Sequence, residues 1–173
     1  MIYDYDTKKP DTSGASYIAE SADIIGDVIL EEGSSIFPNA TLRGDIGPIR
    51  IGRNSNVQDN SVIHTSHDLP CVVKEDVTVG HGAILHSCTV ERGCVIGMGA
   101  IILDNAVIGA DSMVGAGALV TSGKSFPPRS MILGSPAKAV RELSEEEVAE
   151  NRLHTEKYAI LAARQKDTLR PRG

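Results

Sequence analysis

Val79-Gly-His-Gly-Ala-Ile-Leu85-His-Ser-Cys-Thr-Val90 holds two six-residue units laid end to end, each opening on an aliphatic residue. The same unit precedes it at Ile51-Gly-Arg-Asn-Ser-Asn56 and Val57-Gln-Asp-Asn-Ser-Val62, and returns at Ile96, Ile102, Ile108, Val114 and Val120. Gly frequently follows the lead residue, and a small Ser, Ala or Thr takes the fifth place. An α-helix of period 3.6 cannot hold a six-residue pattern on one face for this length, whereas a short strand and a tight corner can. Three hexads close one triangular coil. The lead residue points into the prism, Gly or Asn supplies the positive φ of the corners, and coils stack at roughly 4.8 Å. The expected fold is all-β, a single-stranded parallel β-helix.

The phase breaks are informative. Arg43 to Ile51 is eight residues, Ile63 to Val79 sixteen, and Glu91 to Ile96 five, against a repeat of six. The longest surplus falls on Thr65-Ser-His-Asp-Leu-Pro70, a turn-rich stretch expected to protrude as a loop. The coil is expected to end near Ser125-Phe-Pro-Pro-Arg129, and a closing segment completes a domain over 1–143. Residues 144–173 form a C-terminal α-helix and tail, with helix expected to Thr168. Ser144 and Glu147 have the spacing of a capping box, and Val148, Ala149, Leu153, Ile160 and Leu161 form a weak apolar stripe to lie along the prism.

The 173 residues are 41% hydrophobic but only 3% aromatic, which suits a narrow core of Val, Ile and Leu. A net charge of −6 with no basic stripe argues against nucleic acid and anionic membranes as partners. The opening Met1-Ile-Tyr-Asp-Tyr-Asp6 lacks the basic and apolar regions of a signal peptide, and no apolar run spans a membrane, so a cytoplasmic location is expected. Cys71, Cys88 and Cys94 are odd in number and lack CxxC spacing. They read as small buried hydrophobes rather than a disulfide framework or zinc ligands.

His64 and His86 each follow an inward lead residue, and their separation of 22 residues is one 18-residue coil plus the four-residue loop surplus. They are expected to stack on adjacent coils, pointing outward about one strand spacing apart. His81 lies on the preceding face, a corner away from His86. One subunit can hardly bring all three rings to one ion, so a three-His site would lie between subunits packed about a threefold axis. Three neutral imidazoles and a water make the ligand set of a catalytic zinc, and also suit Fe(II) or Co(II). Such an ion lowers the pKa of its water to about 7, the chemistry of hydration and hydrolysis. His67, in the loop, and His154, on the helix, read as solvated surface residues.

Arg43-Gly-Asp45, Asn56-Val-Gln-Asp59, His64, Gly80-His-Gly-Ala-Ile-Leu-His86 and Ile96-Gly-Met-Gly-Ala100 together resemble the γ-class carbonic anhydrases. The similarity is to their compact bacterial branch of ferripyochelin-binding-protein-like and carnitine-operon-type proteins, over about Ser16 to Leu161. The resemblance implies a left-handed β-helix, against the usual right-handed crossover, and a homotrimer hydrating CO2 to bicarbonate. It implies that His64 and His86 of one subunit and His81 of its neighbour hold the metal. Gln58 would orient the water on it, Asp45 would lie near that water, and Tyr158 on the tail helix would reach toward the metal. Arg43 and Asp59 would pair across the interface, near Asn56. Arg43, Asp45 and Asp59 also fit a purely structural network, and Tyr158 a packing role.

The sequence departs from the family's archaeal prototype in two places. Ile46 stands where a Glu follows the Arg-x-Asp segment, and the acidic loop that carries a proton-shuttling Glu is reduced to Thr65–Pro70. His67 or Asp68 could substitute as the proton carrier if within reach. Three other functions share parts of the pattern. A metal-dependent CoA thioesterase would use the same site, and a hexapeptide acyltransferase would share the hexads and Gly134-Ser-Pro-Ala-Lys138. A non-catalytic metal-binding trimer needs only the ligands.

Overall fold

The computed structural model describes residues 1–172. Short parallel strands wind through about seven turns of a three-faced prism, and one helix follows. On one face the stacked inward residues are Ile24, Leu42, Ile63, Leu85, Ile102 and Val120. On the next they are Leu30, Ile51, Val73, Val90, Ile108 and Phe126. The third carries Ile18, Ile36, Val57, Val79, Ile96, Val114 and Ile132. All but the end residues Ile18 and Phe126 are buried. Each packs against its neighbours on adjacent coils, and Leu42 and Val90 point inward where the spacing of the sequence marks Arg43 and Glu91.

The corners follow from the same six-residue grammar. Asn39, Asn54, Asn60, Asp76, Asn105 and Asp111 turn them at φ between 56° and 60°, a conformation that Asn and Asp tolerate better than other L-residues. Gly80 answers a different need. A Cβ there would lie 2.6 Å from the Ile96 carbonyl oxygen of the next coil, so only glycine lets the coils close up just before His81.

The prism runs further than the sequence suggests. Pro127 and Pro128 do not stop it, because they sit at a corner where no ladder N–H is needed. Ser130–Gly134 continues the third face in parallel with Met113–Val114, and Ala137–Glu142 then folds back antiparallel to close it. Cys71, Cys88 and Cys94 are free and buried, and burial pushes the Cys94 thiol up to about 12.

The helix spans Glu145–Thr168 behind a complete Ser144/Glu147 capping box. Its buried residues are Val148, Thr155 and Ala162, while Leu153, Ile160 and Leu161 are exposed. Of the apolar stripe expected from the sequence, only Val148 is thus on the packed face. The helix crosses the third face over the Tyr17–Ile18 and Asn56–Val57 strands, where Asn56 and Thr78 are buried polar residues. Polar groups there select polar and small partners, and the Thr78 and Thr155 hydroxyls meet at 2.9 Å.

Candidate metal centre

Ile63 and Leu85 point inward, so the next residues, His64 and His86, point out on consecutive coils in direct register. Their rings lie 5.2 Å apart, with His64 Nδ1 3.1 Å from His86 Nε2. Each ring is held from its far side by a carboxylate. Asp45 Oδ1 is 3.1 Å from His64 Nε2, and Arg43 pairs with the other Asp45 oxygen at 2.5 Å. His86 Nδ1 donates to Asp104 Oδ1, whose second oxygen accepts from Ser66 Oγ at 2.8 Å. Asp45, His64, His86 and Asp104 thus form one row across successive coils. The register shift between Gly26 and Val28 bulges Asp45 out of the ladder, and Lys8 Nζ clasps the carbonyl oxygens of Asp45 and Ile46.

The electrostatics of this row bear on what it can hold. Burial raises the Asp45 carboxyl, but hydrogen bonds from Arg43 and His64 outweigh it and hold it below the usual carboxylate range. The hydrogen bond from His86 lowers Asp104 in the same sense. With His86 Nδ1–H committed to Asp104, His86 Nε2 and Asp45 Oδ1 both face His64 as acceptors, and a neutral imidazole carries one N–H. His64 can therefore donate to only one of the two, and a cation between the two facing nitrogens would satisfy the other contact. Nitrogens bound at 2.0–2.1 Å to one tetrahedral ion lie about 3.3 Å apart, close to the spacing found. An imidazole braced by a carboxylate is also the usual setting of a metal-ligating histidine. The donor set fits a divalent ion.

His81 belongs to a separate constellation. It follows Gly80 at the corner, with Nδ1 2.9 Å from Asp59 Oδ2 and Nε2 3.4 Å from the Tyr158 hydroxyl. Its backbone N–H donates to Gln58 Oε1, Gln58 Nε2 donates to Asn56 Oδ1, and Asn56 Nδ2 donates to Thr78 Oγ1. Gln58 is buried and used at both ends, which leaves one amide hydrogen and one oxygen lone pair for anything else. Burial and the Asp59 charge raise the Tyr158 phenol. Among the described residues, no three His, Cys, Asp or Glu side chains of one chain converge on a point that could hold a metal. Within the chain Arg43 pairs with Asp45 and Asp59 with His81, so the Arg43–Asp59 pair expected from the sequence would require a second subunit.

Beside His81 opens a cavity of about 460 Å³ between the prism and the helix, lined by Gln58, His81, Met98, Glu150, His154 and Tyr158 among others. His154, read from sequence as an ordinary surface residue, is exposed but borders this cavity, its ring 5.2 Å from that of Tyr158. His67 and Asp68 lie exposed in the Thr65–Pro70 loop.

Residues 87–122 match the model of the bacterial transferase hexapeptide (six repeats) family. A carbonic anhydrase from Geobacillus kaustophilus is 47% identical over 150 residues, 87% of this chain and 82% of that protein. The carnitine operon protein CaiE of a Proteus species is 40% identical over 94% of this chain and 83% of its own. The chain belongs to the γ-class carbonic anhydrase-like branch of the hexapeptide-repeat family. This carbonic anhydrase-like fold also superposes with a TM-score of 0.89 on a hexapeptide transferase family protein from Anaplasma phagocytophilum, at 39% identity over 94% and 96% of the two chains. Two residues of the carbonic anhydrase-like site escaped the sequence reading. Asp104 lies 18 residues beyond His86 and would have been found by stepping one further coil. Ser66, which ties the loop to Asp104, carries no sequence signal.

Proposed function

We propose that this chain is a metal-dependent carbonic anhydrase of homotrimeric form, with His64 and His86 of one subunit and His81 of the next as ligands. The observation that carries the reading is the row of His64 and His86, each braced by a carboxylate, with facing nitrogens 3.1 Å apart. The separation of His81 from that row within one chain supports a shared site. The carbonic anhydrase relative from Geobacillus kaustophilus supports the same chemistry.

When bound, zinc, Fe(II) or Co(II) would acidify a water to a pKa of about 7 and make hydroxide available near neutrality. The protein's part is to hold and orient. Asp45 and Asp104 fix the two imidazoles, and Asp59 turns His81 so that its Nε2 faces the cavity. Gln58, locked by Asn56 and the His81 N–H, offers its remaining amide hydrogen or lone pair to position water. Tyr158 stays a neutral phenol and donates or accepts beside His81.

A second reading has one observation in its favour. The cavity beside His81 is far larger than CO2 needs and lies within the range of pockets for bulkier organic ligands. Hydrolysis of a CoA thioester fits that space and the same nucleophile, whereas acyl transfer would follow the name of the Anaplasma relative.

The deciding experiment is stopped-flow CO2 hydration on protein loaded with zinc or, without air, with Fe(II), using His86→Ala as the blank. Metal-dependent hydration lost in the variant supports the carbonic anhydrase reading. Stoichiometric metal without hydration, together with free thiol released from CoA esters, would replace it with the thioesterase.

A further inference from the structure

CO2 hydration releases one proton for each bicarbonate formed, and a half-buried site must pass that proton to buffer before the next cycle. Resting on the carbonic anhydrase reading, we infer that His154 is the proton carrier, linking the cavity beside His81 to solvent. Three side chains of the helix, Glu150, His154 and Tyr158, recur at intervals of four residues and all line that cavity. Residues so spaced lie one above another on a helix. The row therefore runs from exposed Glu150 through exposed His154 to half-buried Tyr158. The Tyr158 hydroxyl is 3.4 Å from His81 Nε2, and the Tyr158 ring is 5.2 Å from that of His154.

The chemistry divides the labour along this row. The Tyr158 hydroxyl can both donate and accept a hydrogen bond beside His81 Nε2, so it can relay a proton. Imidazole is the side chain that ordinarily changes charge between pH 5 and 8, which suits it to storing a proton and giving it up again. The other titratable groups that line the cavity are Glu150 and Tyr158 on the same helix and His81 from the prism corner, with Met98 and Met113 as apolar lining. In the step, a ring nitrogen of His154 takes the proton released as CO2 and water become bicarbonate, by way of the Tyr158 hydroxyl or a cavity water. A buffer base then removes it, returning a neutral imidazole. His67 and Asp68 lie instead in the Thr65–Pro70 loop, beside the His64 and His86 row.

The test compares wild type, His154→Ala and the double variant His67→Ala/Asp68→Ala, each loaded with zinc. His154 is exposed and Ala is a strong helix former, so the variant should keep its far-UV circular dichroism and its zinc content by elemental analysis. The expected result is a fall in kcat of about tenfold or more at low buffer, with kcat/KM little changed. Imidazole buffer should restore kcat. Exchange of 13C between CO2 and bicarbonate at chemical equilibrium, which needs no proton to leave, should persist. An unchanged kcat for His154→Ala at low buffer would overturn the inference. So would a joint fall in kcat, kcat/KM and 13C exchange, which marks a structural defect, or a selective loss in the double variant instead. A zinc-loaded wild type with no hydration would remove the carbonic anhydrase reading and this inference together.

Discussion

In the proposed metal site, much would depend on Asp104, a residue that would itself bind no metal. Its carboxylate accepts a hydrogen bond from His86 Nδ1–H, which fixes the tautomer and leaves Nε2 facing His64. Its second oxygen holds Ser66 and thereby the start of the loop. Replacing it with Asn keeps the shape but removes the charge, so Asp104→Asn should weaken zinc binding by about 10–100-fold while leaving the fold intact. Competition with a chromophoric chelator measures this directly, and an unchanged affinity would mean that Asp104 serves only the loop. At this scale His64 and His86 were legible because inward lead residues fix what their neighbours do. Asp104 was not, since a carboxylate past a strand end looks like any polar corner residue until the coil beneath it is known.

At the scale of elements, strand and helix differed in how far their sequences could be read. The prism repeats one instruction, an aliphatic residue every six, and each repetition confirms the last. Its end was misplaced because Pro127 and Pro128 resemble a stop signal, yet they occupy a corner that makes no such demand. The helix has one copy of each signal. Its cap was plain, but its buried face answers to the prism, where Thr155 meets Thr78, rather than to its larger apolar residues. The cap also carries a pH dependence. Glu147 is held at about 2, below its ordinary 4.5, by Arg141 and the Ser144 N–H. A carboxyl depressed on folding contributes fully above its unfolded value, and the contribution is lost as pH falls through the folded one. The first turn should therefore fray as pH drops from about 5 to 2, an effect kept small by solvent screening. Glu147→Gln should remove that component from the circular dichroism titration at 222 nm. Identical titrations would show that Ser144 alone holds the cap.

At the scale of the whole molecule, the proposed site is split into two unlike parts that lie at two places on each chain. His64 and His86 occupy one face, while His81 stands at a corner with Tyr158 and Asp59. The histidine spacing already suggested this division, because the coil geometry keeps His81 off the face of the other two. The exposed apolar residues Val62, Ile84 and Met98 border the same regions, as an interface through the site would require. A shared site makes a prediction that a site within one chain cannot imitate. His81→Ala and His86→Ala chains should each form trimers without metal-dependent hydration. Coexpressed in equal amounts and assembling at random, they place an intact His81 against an intact His64 and His86 at about one interface in four. Mixed trimers should then recover about one quarter of the wild-type zinc content and hydration rate. If every ligand came from the same chain, no mixture could restore a site. An inactive, metal-free mixture of well-formed trimers would therefore refute sharing between subunits.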